Sequence, residues 1–255
     1  MRLATWNVNS LKVRLPQVLD WLAANKPDAL CLQETKMEDV KFPVDDIAAA
    51  GYRSVYAGQK TYNGVAILCR AAAEEVTVGI PGYEDPQKRV LAATVDGVRT
   101  ICVYIPNGES VESDKYRYKF DWLQHLTAWI EEQLAHYPRL ALLGDYNIAP
   151  EERDVHAPKA WEGKVLFSEP ERAAFAGLLR LGLADSFRLF EHGDPGYTWW
   201  DYRMNAFRRK LGLRIDHILL SAELVRGCQS CSVDRDMRAR ERPSDHAPVL
   251  AEVTL

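Results

Sequence analysis

Long apolar runs are missing from this 255-residue sequence. That excludes a membrane-spanning helix, which needs about 20 consecutive apolar residues. A leader is not expected either, because Met1-Arg2-Leu3-Ala4 passes straight into a strand-like segment and not into a signal peptide. Cysteine is sparse, and its count of 5 is odd. Cys31, Cys69 and Cys102 lie in apolar strand-like runs, as reduced core thiols of a cytoplasmic protein would. Cys228 and Cys231 have CxxC spacing, but no second pair or nearby histidines complete a zinc site, so they read as structural. A dominant charge is also lacking. The net charge of -4 does not advertise a nucleic-acid binder, yet a local basic face can serve within an acidic total. No linker or composition break divides the chain. With 47% hydrophobic and 27% charged residues it reads as one domain over residues 1–255 with a substantial core.

What is present is a series of strands that end in polar residues. Leu140-Ala141-Leu142-Leu143 runs into Gly144, and Asp145 and Asn147 follow two apart. On extended backbone their side chains share a face. The carboxylate can bind a metal or a proton, and the amide can donate to a phosphate oxygen. Alone, the segment reads equally as turn chemistry. Similar ends elsewhere supply Asn7, with Asn9 two further on, then Glu34, Tyr104 with Asn107, Asp216, and Asp245 with His246. Glu34 and Asp216 close or enter such apolar runs that burial costs them desolvation unless they are paired or metal-bound.

Helical stripes are expected from Val13 to Ala24, from about Lys115 to His136, and from Glu171 to Leu181. Lys115, Arg117 and Lys119 are assigned to the outer side of the second of these. Tyr52 to Ala57 and Gly64 to Arg70 predict a hairpin, and Asp96-Gly97 a tight turn between two strands. Residues 151–170 mix charge, proline and glycine without periodicity and read as a long surface loop.

If the strand ends converge, several carboxylates and a histidine share one cleft, and their repulsion calls for a cation. The oxygen-rich, cysteine-free set suits Mg²⁺ or Mn²⁺. Metal, activated water and a histidine fit to donate or accept a proton point to phosphoester hydrolysis. Beside the aromatic cluster Trp199-Trp200 runs Arg203, Asn205, Arg208, Arg209 and Lys210, with Arg214 beyond. That pairing suits phosphate attraction next to a stacking or wedging surface.

Seven motifs carry a family resemblance: Asn7-Val8-Asn9-Ser10, Leu32-Gln33-Glu34-Thr35-Lys36, Tyr104-Ile105-Pro106-Asn107-Gly108, Gly144-Asp145-Tyr146-Asn147, Thr198-Trp199-Trp200-Asp201-Tyr202-Arg203, Arg214-Ile215-Asp216 and Ser244-Asp245-His246. In order and along essentially the whole chain, the sequence resembles the exodeoxyribonuclease III and abasic-site endonuclease family. That family lies within the endonuclease/exonuclease/phosphatase superfamily.

The resemblance implies an α/β fold, a four-layered sandwich of two packed mixed sheets flanked by helices. It implies double-stranded DNA with abasic or 3′-blocked ends as substrate. Since no membrane-seeking segment is visible and nothing in the sequence suggests an obligate partner, a monomer with no membrane partner is expected. Glu34 would be the main metal ligand, oriented by Asn7, with Asp145, Asn147 and Asp245 in or beside the metal set. Asp145 would align or deprotonate the attacking water, or protonate the leaving oxygen, while Asn147 and Tyr104 hydrogen-bond the phosphate. His246 would contact a non-bridging oxygen, backed by Asp216. Asn107 would reach DNA, Trp199 and Trp200 would wall the sugar pocket, and Arg203 would wedge into the duplex. The role of His217 stays open.

Two rivals are a phosphoinositide- or sphingomyelin-type esterase and a catalytically dead DNA-binding module. The aromatic cluster and basic run have no evident use on a lipid headgroup, and every candidate catalytic residue is present.

Overall fold

The computed structural model describes residues 1–255. In chain order the elements are β1 (Arg2–Asn7), α1 (Leu11–Asn25), β2 (Ala29–Gln33), α2 (Val44–Ala49), β3 (Arg53–Ala57), β4 (Val65–Cys69), β5 (Ala73–Val78), β6 (Val90–Val95), β7 (Val98–Tyr104) and α3 (Asp114–His136). There follow β8 (Leu140–Asp145), α4 (Pro158–Trp161), α5 (Glu169–Arg180), β9 (Leu183–Asp185), β10 (Asp216–Ser221), α6 (Ala222–Gly227), β11 (Cys228–Val233) and β12 (Val249–Val253). The strands form two six-stranded sheets, ordered β11-β12-β1-β2-β4-β3 and β5-β6-β7-β8-β10-β9. Each contains a single parallel pair, β1 with β2 and β7 with β8, so both sheets are mixed. The expected hairpin forms between β3 and β4. Asp96 and Gly97, both at positive φ, make the two-residue turn from β6 to β7, as the right-handed strand twist favours.

Alternation along the strands sorts the core into layers. Leu3, Cys31, Cys102, Leu143 and Ile218 meet between the sheets. Their neighbours point the other way: Trp6, Leu30 and Leu32 pack beneath α1, and Ile101, Leu142 and Leu219 pack beneath α3 and α5. The result is the expected four-layered sandwich. The same period carries the last side chain of β1, β7 and β8 and the first of β10 into the inter-sheet space. Those residues are Asn7, Tyr104, Asp145 and Asp216.

Two expectations are corrected. Lys119 does not lie on the outer side of its helix: it is fully buried. It precedes Trp122 and Leu123 by three and four positions, which puts it on the apolar stripe, and its ammonium meets Glu171. The stretch 151–170 is not an irregular surface loop. It holds a 3₁₀ turn over Glu152–Asp154, α4 and the start of α5, and it buries Val155, Leu166 and Phe167 against Leu213 and Ile215. Those apolar residues recur with no period, so pattern alone could not assign them.

Candidate active site

Register puts the site together. Asp145 is directly paired with Tyr104 across β7–β8 and with Asp216 across β8–β10. Two carboxylates facing each other across adjacent strands repel, and His246 relieves that repulsion. Its Nδ1 donates to Asp216 Oδ2 at 2.8 Å, and its Nε2 lies 3.8 Å from Asp145 Oδ2. Burial opposes the imidazolium, but the Asp216 and Asp145 charges and the Asp216 hydrogen bond prevail and push its pKa up to about 10. The Asp145 carboxyl is raised to about 7, chiefly by burial and further by Asp216, against the pull of His246 and of hydrogen bonds from Asn7 and the Asn147 amide.

The facing sheet supplies the rest. Asn7 Nδ2 donates to Glu34 Oε1 and to Asp145 Oδ2, both at 2.8 Å, so one amide draws two carboxylates together. Lys36 holds the other Glu34 oxygen at 2.8 Å and donates to Asn9 Oδ1 at 2.5 Å. Asn9 in turn donates to Asp245 Oδ1 at 2.8 Å. Ser244 ties this loop to β1 by donating to the Asn7 carbonyl at 2.7 Å. Asn9, Glu34, Lys36 and Asn147 all take left-handed backbone conformations. Such residues cost on the order of 1–3 kcal/mol each and cluster where function requires them.

Donor atoms of Glu34, Asp145 and His246 lie within 4.8 Å of one another. Glu34 and Asp145 are the oxygen donors able to hold a hard cation, and His246, bonded to Asp216 through Nδ1, turns Nε2 toward them. The set fits a hard divalent ion: the donors are carboxylate oxygens, and two such carboxylates gathered at one point repel unless a cation or a proton lies between them. Asn7, expected to orient Glu34 and to belong with the metal residues, orients both carboxylates through Nδ2, while its Oδ1 accepts from the Asn9 amide. Asn147 Oδ1 is taken by Asn107 Nδ2 at 2.9 Å. Asp245 is engaged by Asn9 and by Trp199 Nε1 at 3.0 Å, and the Asn9–Lys36 chain links it to Glu34.

Tyr104 is packed under Arg89, whose guanidinium lies 4.6 Å from the ring centre. Burial and the Glu34 and Asp145 charges hold its phenol well above the usual range, so it is a donor throughout the neutral pH range. Asn107 is exposed at the rim. His217 is buried, donates through Nε2 to the Ile148 carbonyl at 2.9 Å and accepts from Arg214 at 3.0 Å through Nδ1. It is a structural group.

The aromatic–basic loop borders the cluster, since the Trp200 amide donates to the Asp245 carbonyl at 3.0 Å. Trp199 is half-buried against Asp245. Trp200 is only 2% exposed and packs edge-on to Phe207. It supports the loop from below and does not form a pocket wall, because the chain bends between the two rings. Arg203, Asn205, Arg208, Arg209 and Lys210 are exposed. Arg203 is forked onto Asp201.

Sequence reasoning missed Asn9 and Lys36 as site residues. Both were visible, one two positions after Asn7 and the other closing the motif around Glu34. Arg89 carried no signal.

Comparison with known proteins agrees with this geometry. The model of the Endonuclease/Exonuclease/phosphatase family matches residues 4–246. Exodeoxyribonuclease III of Haemophilus influenzae is 35% identical over 265 residues, covering 99% of each chain. The 3′ phosphatase NExo from Neisseria, solved bound to product DNA hairpin, is 49% identical with a TM-score of 0.98 over 100% of both chains. An AP endonuclease from Archaeoglobus fulgidus is 38% identical with a TM-score of 0.96, again over 100% of both. The chain belongs to the endonuclease/exonuclease/phosphatase family, and within it to the exodeoxyribonuclease III branch.

Proposed function

We propose that the protein is a divalent-metal-dependent DNA repair phosphodiesterase of the exodeoxyribonuclease III type. It hydrolyses duplex DNA from 3′ ends, 5′ to abasic sites, or both, with 3′-phosphatase action, and leaves 3′-hydroxyl ends. The observation that carries this reading is the meeting of Glu34, Asp145 and His246 beside an exposed loop of five polar and basic residues, Arg203, Asn205, Arg208, Arg209 and Lys210. The relatives of this chain include a 3′ phosphatase, an AP endonuclease and an exodeoxyribonuclease.

Glu34 and Asp145 would hold Mg²⁺ or Mn²⁺, with Asp245 behind them. When bound, the ion supplies charge neutralisation at the scissile phosphate. Asp145, buried beside His246, aligns the attacking water and takes its proton. His246 stays charged and donates to a non-bridging oxygen; Asp216 fixes its ring. Tyr104 and the Asn147 amide donate to the same phosphate. Trp199 borders the sugar, Asn107 and Arg203 meet the duplex, and Arg208, Arg209 and Lys210 attract its backbone. A reducing, cytoplasmic compartment suits the five free thiols.

Three end-labelled duplexes test this reading: one with a recessed 3′ end, one abasic, and one ending in a 3′ phosphate. Mg²⁺ should support cleavage of at least one of them, and EDTA should abolish it. Asp145→Asn should lower the rate roughly a hundredfold or more. Metal-independent cleavage, or full activity of Asp145→Asn, contradicts the assignment.

A further inference from the structure

An ion pair wholly shielded from water joins α3 to α5: Lys119 Nζ lies 2.5 Å from Glu171 Oε1, and neither side chain is exposed. Burying two charges costs desolvation that their attraction repays only in part, so the pair needs a reason beyond holding two helices together. Its other bonds supply one. Lys119 donates to the backbone carbonyl of Asn147 at 2.8 Å and to that of Asn107 at 3.2 Å, so each of its three protons has an acceptor. These are the two residues whose side-chain amides are bonded to each other at the site, Asn107 Nδ2 to Asn147 Oδ1. Glu171 turns the other way and accepts from the amides of Leu166 and Ser168, each at 3.0 Å.

Asn147 has a left-handed backbone, with φ of 49°. Its amide nitrogen bonds the Ile105 carbonyl through one proton at 3.0 Å, which leaves the second proton for a ligand. Holding that geometry requires the peptide on either side to be fixed. The preceding Asp145 does this through the Asn147 N–H, at 2.9 Å, and Lys119 does it through the Asn147 carbonyl. The same ammonium fixes the turn at Asn107 and Gly108, against which Val165 is closely packed.

We propose that Lys119 and Glu171 are positioning residues for phosphate recognition. The pair clamps the backbone of Asn107 and Asn147 so that the free Asn147 proton faces the scissile phosphate, and it fastens that clamp to the Leu166–Ser168 turn. This inference rests on the DNA-phosphoesterase reading above.

The test is kinetic. Lys119→Met/Glu171→Gln removes both charges together, so that neither is left unpaired, and releases the Asn107 and Asn147 carbonyls from the ammonium. Its kcat on whichever of the three duplexes wild type cleaves fastest should fall roughly 10- to 100-fold, the scale of a small misplacement of a reacting group. Its Kd for the same duplex in EDTA should stay within about threefold of wild type, since the Asn107–Asn147 clamp does not make the basic contacts that hold the backbone. In an Asn147→Ala background the same pair of changes should cost less than about threefold, because the group being positioned is gone. Glu171→Gln alone, which keeps an acceptor facing Lys119 and Leu166, carries the test if the double variant does not fold. A folded variant with unchanged kcat and a lowered Tm shows a purely structural pair and overturns the proposal. So does a full-sized, additive loss in the Asn147→Ala background. If wild type itself shows no metal-dependent cleavage of any of the three duplexes, the functional reading fails instead, so the two failures are distinguishable.

Discussion

His217 and His246 come from the same kind of sequence context, a histidine beside an aspartate at a strand end, and their surroundings drive them apart. His246 has Asp216 and Asp145 on its two nitrogens and is held charged. His217 has Arg214 on one side, and burial with that charge lowers its pKa to about 3 from the ordinary 6.5. The folded value lies below the unfolded one, so the neutral ring contributes stability that is fully present above pH 6.5 and fades as the pH falls toward 3. His217→Gln keeps one donor and one acceptor but cannot titrate. Its Tm should therefore vary less steeply than that of wild type across this window, read by calorimetry in matched buffers; identical slopes contradict the assignment. The sequence could place both histidines but not tell them apart, because the deciding neighbours come from elsewhere. Arg214 is steered by Asp154 and Asp185, and Asp145 reaches His246 only through sheet packing.

Among the elements, β8 shows why strand ends were readable and some helix faces were not. Its apolar run, its glycine and its polar pair each leave a local mark, and period two fixes which residues share a face. Gly144 has a specific cause: a Cβ there would lie 1.9 Å from the Val103 carbonyl oxygen, so only glycine lets β7 and β8 approach at the residue before Asp145. Gly144→Ala should destabilise the protein by about 1–3 kcal/mol, the usual cost of overpacking, read as a lower urea midpoint at unchanged slope; an unaltered midpoint contradicts that packing. On α3 the same logic was available and misapplied. Lys119 lies on the stripe of Trp122, Leu123 and Leu126, but a lysine there looks like an outward residue until Glu171, from a helix some fifty residues later, is brought to it. The stretch 151–170 stayed opaque for a different reason, since Val155, Leu166 and Phe167 pack across the chain and not along it.

At the scale of the whole molecule, the cluster belongs to neither sheet alone. Asn7 and Glu34 come from the β1–β2 side, and Asp145, Tyr104 and Asp216 from the other; the Asn7 amide and His246 span the seam. The motifs were legible singly, and their resemblance to one family supplied the convergence that spacing could not. Glu34 and Asp145, which would hold the cation, come from opposite sheets. The sharpest measurement is therefore the Mg²⁺ dependence of single-turnover cleavage by wild type and Glu34→Gln, with DNA affinity determined separately in EDTA. Losing one of two carboxylate ligands should raise the half-saturating Mg²⁺ concentration by about tenfold or more while leaving DNA affinity within about threefold. An unchanged Mg²⁺ response in Glu34→Gln would contradict a metal centre built across the seam.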